Sequence, residues 1–209
     1  AQTAASITLA PTSLSFTSID NTASFVATVK DANDNTMSGA TVTWATSSWS
    51  VATVSSAGLV TAVANGSATI TATSGSVNQT AAVTVSQAAA SVTLAPTSLS
   101  FASFGDTTTL VPTVKDAGGT TMSGATVTWA TSSASVATVS SAGLVTAVAN
   151  GSATITATSG SVNQTATATV SQVASSATLA PTSLSFASFG DATTLVPTVQ
   201  GANDSTIPS

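Results

Sequence analysis

Pro-Thr-Ser-Leu-Ser-Phe occurs three times, at 11–16, 96–101 and 181–186, each 85 residues after the last. That spacing constrains the fold more than any other feature. The segments 37–81 and 122–166 are 45-residue blocks that differ at one position, Trp49 against Ala134. Residues 94–106 recur unchanged as 179–191. The chain therefore reads as two complete copies, 1–85 and 86–170, followed by the opening 39 residues of a third, 171–209. A period of 85 exceeds the roughly 20–50 residues of solenoid repeats and suits an array of small domains, each with its own core. Near-identity between neighbours indicates recent duplication. Duplication of this kind changes copy number freely, which fits a spacer or a multivalent surface better than a catalyst.

Within a copy the apolar residues alternate with period two, the signature of half-buried strands. Val42 and Trp44 fall on one face while Thr41, Thr43 and Ala45 fall on the other. Ala68, Ile70 and Ala72 alternate with Thr69, Thr71 and Thr73, and Ala81, Val83 and Val85 with Ala82 and Thr84. Ala23, Phe25, Ala27 and Val29 alternate in the same way through 21–30. Thr and Val suit a pleated, half-buried surface. Turn signals separate the runs at 31–35, Ser38-Gly39, Ala57-Gly58, Asn65-Gly66 and Ser74-Gly75. The pattern predicts strands near 5–9, 13–17, 22–30, 40–46, 51–54, 59–63, 67–73 and 78–85, with no helix. Seven or eight short strands at this spacing predict an all-β fold of tandem two-sheet β-sandwich modules, two complete and one partial. The expected core is Leu9, Leu14, Phe16, Phe25, Val29, Val42, Trp44, Val54, Ile70, Val83 and Val85, with the equivalent set in each copy and Trp129 for Trp44.

Composition narrows the function. Ala (40), Thr (42) and Ser (36) make up 56% of the chain, and there is no His, Cys, Tyr, Arg or Glu. Such a composition can mark a disordered stalk. Disorder usually requires low hydrophobicity together with high charge, whereas the net charge here is −5 and the apolar residues follow a regular order. The chain is read as folded. Without His, Cys or Glu there is no Ser-His-Asp or Cys-His site, no zinc site of the usual ligands and no thiol chemistry. The expectation is no enzyme, no catalytic residue, no metal and no cofactor. Lys30 and Lys115 alone cannot neutralise a phosphate backbone, so no nucleic-acid partner is expected. No apolar run approaches the ~20 residues of a membrane span, so no membrane insertion is expected. The start aligns with 86–95 and 171–180 and carries no basic-then-apolar leader, as a mature protein or an excised piece would begin.

The runs Gly39-Ala40-Thr41-Val42-Thr43-Trp44, Ser50-Val51-Ala52-Thr53-Val54-Ser55, Gly58-Leu59-Val60-Thr61-Ala62-Val63 and Gly66-Ser67-Ala68-Thr69-Ile70-Thr71-Ala72 carry a family resemblance. Leu14-Ser15-Phe16 and Val29-Lys30-Asp31-Ala32 fit it too. Both full copies, and the third as far as it goes, resemble the bacterial immunoglobulin-like domain, group 2. The resemblance implies an immunoglobulin-like sandwich used in tandem in surface adhesins, outer-surface and cell-wall proteins, and phage tail or fibre proteins. It brings no common catalytic residue, and fold alone does not fix function.

Four features are candidates for a site. The turn Asp31-Ala32-Asn33-Asp34-Asn35 offers oxygen ligands of the kind Ca²⁺ prefers. Its counterparts, 116–120 and 201–205, offer fewer, and a turn rich in Asp, Asn and Gly needs no metal. An ordinary turn, indifferent to calcium, is expected. Lys30 and Lys115 invite comparison with isopeptide-forming lysines, but they alternate to the polar face and Gln200 takes the third position. Solvated lysines are expected. Threonine ranks at 69–73 and 165–169 present hydroxyls two residues apart; a flat rank can order water, but ranks of Thr are also the ordinary outer face of a twisted strand. These hydroxyls, and Asn65, Asn78, Asn150, Asn163 and Asn203 in Asn-X-Ser/Thr, are possible glycan acceptors. Trp49 stands in a Ser-rich connection where Ala134 serves equally well. It is read as exposed, a contact point for a neighbour or a sugar, or incidental variation.

The expected function is a non-enzymatic structural spacer on an extracellular, cell or virion surface, whose partners are neighbouring modules or copies of itself. The alternative is a multivalent adhesin for a surface glycan or protein. The link 85–91 is short and lacks Gly and Pro, which predicts limited bending and, at ~3.3 Å per residue over ten residues, about 35–40 Å per module. Residues 171–209 supply opening strands at 177–179, 184–186 and 193–199 only. Either the rest of the third copy follows in a longer array, or these strands complete a sandwich on another chain. The first is favoured, because copies 1 and 2 already hold their own opening strands.

Overall fold

A computed structural model describes residues 2–201. Among them every regular element is a β-strand. The first copy builds β1 (Ser6–Ala10), β2 (Ser13–Phe16), β3 (Thr22–Ser24), β4 (Val26–Lys30), β5 (Thr43–Thr46), β6 (Ala52–Val54), β7 (Leu59–Ala62), β8 (Gly66–Ser74) and β9 (Val77–Val85). The second repeats them as β10 (Ser91–Ala95), β11 (Ser98–Phe101), β12 (Thr107–Thr109), β13 (Val111–Lys115), β14 (Thr128–Thr131), β15 (Ala137–Val139), β16 (Leu144–Ala147), β17 (Gly151–Ser159) and β18 (Val162–Val170). Two strands follow, β19 (Ala174–Ala180) and β20 (Val196–Gly201).

In the first copy a four-stranded sheet runs β2-β9-β8-β5, a three-stranded sheet β3-β7-β6, and β1 pairs β4. The second copy repeats this as β11-β18-β17-β14, β12-β16-β15 and β10 with β13. The pairing of β2 with β9 is parallel, Leu14 opposite Val83 and Phe16 opposite Val85, so the copy's second strand lies beside its last. The long β8–β9 hairpin is held in register from Gly66↔Val85 to Ser74↔Val77. The chain divides into two compact units. One comprises the residues up to Ser91 together with Val114–Ala125; the other comprises Val92–Thr113 together with the residues from Thr126 onward.

The strand expected over 22–30 is two strands. β3 pairs with β7, β4 pairs with β1, and the chain passes from one sheet to the other at Phe25. Phe25 is fully buried, and its N–H donates to the Gly58 carbonyl at 3.0 Å. Alternation alone cannot show such a crossing, because the side chains keep the same in-out order through it.

Leu9, Phe16, Phe25, Val29, Val54, Ile70, Val83 and Val85 are buried as expected. Leu14, Val42 and Trp44 are only partly buried and pack against that core from its flank. For Trp44 the reason is topological: β5 is an edge strand of its sheet. Its indole stacks on Phe25, with ring centroids 6.5 Å apart and planes 17° apart. Ala52, Ala62 and Ala72 are fully buried, and Ile7 and Val60 join them. Small side chains let the sheets close over a core with few large residues.

In 174–201 the expectation is corrected. The strand expected at 184–186 is absent, and the one expected over 193–199 begins only at Val196. In the second copy β11 pairs with β18 and β12 with β16, closing strands of that copy. β19 and β20 pair with each other, needing nothing outside the opening segment.

Candidate functional site

The loops after β4 and β13 are built around an aspartate. Asp31 Oδ1 accepts the N–H groups of Asn33 and Asn35 at 2.9 and 3.0 Å, and its Oδ2 accepts Gln2 Nε2 at 3.1 Å. The N–H of Asn35, above all, holds the Asp31 carboxyl below its ordinary range. Asp34 Oδ1 pairs with Lys30 Nζ at 3.0 Å in an exposed contact. Both carboxylate oxygens of Asp31 thus accept hydrogen bonds from protein donors.

The second loop repeats the pattern and adds to it. Asp116 Oδ1 accepts Gly118 N and Thr120 N at 3.0 and 2.9 Å. Its Oδ2 accepts Gln87 Nε2 at 2.8 Å and the N–H of Ile19, in the β2–β3 turn, at 3.1 Å. All these residues belong to the first compact unit. Asp116 is buried, and the bond from Gln87 is the main cause of its lowered pKa. Gly118 stands where the first loop has Asn33, and the packing there is tight. A Cβ there would stand 3.3 Å from the Ile19 carbonyl oxygen, so a side chain like that of Asn33 would press on the turn. The sequence reads an ordinary turn here, and the turn also accepts hydrogen bonds from Gln87 and Ile19. At the third loop Gly201 is buried, and Gln172 fills the place of its missing Cβ. Residues 202–205 of that loop, and Asn203, lie outside the described residues.

A carboxyl held below its ordinary pKa stabilises the fold fully above the unfolded value of about 3.9, and that contribution is lost as pH falls through the depressed folded value. The melting temperature is therefore expected to fall as pH drops from about 5 to about 3, and to fall less steeply in the D31N/D116N double variant. Thermal melts across that range check it; equal slopes would contradict the assignment.

The other candidates are placed plainly. Lys115 is exposed, and Lys30 makes the solvent-facing Asp34 pair described above. Thr165, Thr167 and Thr169 are exposed on β18, opposite Thr156, Thr154 and Ser152 of β17, while Ala166 and Ala168 face inward. Thr71 and Thr73 are half-buried where β5 crosses them. Asn78 and Asn163 are exposed. Asn65 and Asn150 use Oδ1 to accept the N–H of Gln87 and Gln172 at 2.7 and 2.6 Å, so they anchor the segments after β9 and β18. Trp49 is 63% exposed. Its loop keeps its form without it: Ser48 Oγ and Ser50 Oγ are 3.0 Å apart, and Ser133 Oγ and Ser135 Oγ 2.9 Å apart around Ala134.

Among the described residues no three acidic, His or Cys side chains converge as a metal site would require, and no helix is long and apolar enough to cross a membrane. Sequence reasoning passed over Gln87 and Ile19. The recurrence of Gln2, Gln87 and Gln172 at the repeat spacing was the available signal for the first.

The family model of the bacterial Ig-like domain (group 2) matches residues 3–85 and again 88–170. The chain belongs to this family. No curated protein matches it. Among solved structures, the group 2 Ig-like chain is similar to surface layer protein SbsC, domains 1–6, at 21% identity and a TM-score of 0.41, over 99% of this chain and 32% of that one. It is similar to invasin, a bacterial integrin-binding protein, at 18% identity and a TM-score of 0.49, over 96% and 47%. The Yersinia pseudotuberculosis adhesin InvE shows 16% identity and a TM-score of 0.42, over 78% and 58%. The Ig-like chain thus spans less than two thirds of each of these proteins.

Proposed function

We propose that this chain is a non-enzymatic structural spacer: tandem Ig-like modules, 1–85 and 86–170, with the opening strands of a third at 171–209, working outside the cell on a bacterial or virion surface. The observation that carries it is the tandem recurrence of one group 2 Ig-like domain, with a 45-residue block in each copy that differs at a single position. A spacer gains from each added copy, whereas a catalyst needs groups this chain lacks: it has no His, Cys or Glu. The exposed Thr165, Thr167 and Thr169 of β18 support the reading, being the ordinary hydroxyl-bearing outer face of a strand. Partners are then neighbouring modules or further copies of the repeat.

The alternative is a multivalent adhesin for a surface glycan or protein, and Trp49 is the observation that favours it. An indole so exposed is the kind of group that anchors a contact. An array of glycans and extracellular host proteins, probed with the full chain, separates the two. A spacer is expected to show no saturable binding. Saturable binding abolished by Trp49→Ala would establish the adhesin instead.

A further inference from the structure

Each oxygen of the Asp116 carboxylate accepts two hydrogen bonds, Oδ1 from Gly118 N and Thr120 N, Oδ2 from Gln87 Nε2 and Ile19 N. Every partner is thus a donor, and three of them are backbone N–H groups, which cannot turn to accept. Asp116 itself is 3% exposed. The loop 116–120 belongs by sequence to the second repeat and by packing to the first compact unit, where it bonds to the β2–β3 turn. Gln87 is fixed for its part, because Asn65 Oδ1 accepts its N–H.

A second observation opposes the first. Ser18, beside Ile19 in the same turn, is fully buried, and its hydroxyl has no hydrogen-bond partner among the described residues. The loop lies against it: a Cβ on Gly118 would stand 3.5 Å from Ser18 Cβ. A buried hydroxyl without a partner works against the closed arrangement, since opening returns it to water.

We propose that loop 116–120 is an acid-released clasp, closed on the β2–β3 turn by the charged Asp116 carboxylate and biased to open by the Ser18 hydroxyl. A proton on either carboxylate oxygen would face donors only, so the neutral acid sets its O–H against an N–H and gives up a bond. The Asp116 carboxyl is held below its ordinary range, chiefly by Gln87. The clasp is therefore fully closed above the ordinary value of about 3.9 and is released as pH falls through the depressed one. In the segments around the carboxylate, 17–21, 86–90 and 115–120, the other charged side chains are Asp20 and Lys115, both exposed.

Amide hydrogen exchange of the full chain tests the clasp. The Ile19 amide reports it, because its acceptor is the carboxylate, while the Phe25 amide, bonded to the Gly58 carbonyl, reports the surrounding fold. Each rate is taken relative to an unstructured chain at the same pH. Ile19 is expected to be less protected than Phe25 throughout, and to lose protection about tenfold or more between about pH 5.5 and about pH 2.5, with Phe25 still protected at the acid end. In Asp116→Asn, whose amide must turn its own N–H groups toward donors, Ile19 is expected to be poorly protected at both ends, without the acid step. Ser18→Ala is expected to raise Ile19 protection about fivefold or more at the upper pH. Ile19 and Phe25 exchanging together at every pH would overturn the proposal, as would an unchanged acid step in Asp116→Asn or no gain in Ser18→Ala. If Asp116→Asn does not fold, the comparison of Ile19 with Phe25 and the Ser18→Ala gain decide it.

Discussion

Replacing Phe25 by alanine is expected to cost about 3–5 kcal/mol, the usual range for a large aromatic truncated inside a core. Phe25 is 1% exposed, sits where the chain passes between sheets, and supports the Trp44 indole. Its removal opens a cavity beneath two sheets at once. Trp49→Ala is the matched control. It removes a larger ring from a loop whose twin already holds alanine, and is expected to stay within ~0.5 kcal/mol. Urea unfolding of the full chain, followed by tryptophan fluorescence, checks both. Equal losses at Phe25 and Trp49 would contradict the packing described.

Gly58→Ala is expected to cost about 2–5 kcal/mol, combining left-handed backbone strain with overpacking. Gly58 has φ of +80°. A Cβ there would lie 2.5 Å from the Phe25 carbonyl oxygen and 2.8 Å from the Trp44 ring. Gly143 repeats the arrangement with Trp129, its φ being +79°. Gly75→Ala shares a positive φ of 59°, but its Cβ meets nothing within 4 Å. Its loss should therefore be the strain alone, about 1–2 kcal/mol. The same unfolding midpoints decide between them, and a Gly58→Ala chain as stable as Gly75→Ala would remove the tight contact from the picture.

The in-out order of side chains was legible because a strand places alternate residues on opposite faces whatever its partner. That suffices for Ile70, Val83 and Val85, whose strands are long and regular. It does not reveal partners. The crossing at Phe25 preserves the alternation, and the edge position of β5 that leaves Trp44 half-buried is a property of sheet order. The strand expected at 184–186 failed for the same reason: its propensity equals that of 98–101, residue for residue, but a strand needs a neighbour to accept its hydrogen bonds. At the Asp116 loop the turn itself was legible. The docking of Ile19 and Gln87 was not, because 97 and 29 residues separate them from Asp116 in sequence.

In the spacer proposed above, each 85-residue copy is expected to unfold as a unit of its own. Pulling single full-length chains from their two ends tests it most directly. Two unfolding events are expected, each releasing about 280–310 Å of contour length less the folded span, at ~3.3–3.6 Å per residue over one copy. A single event releasing both copies together, or smooth extension without any event, would contradict it.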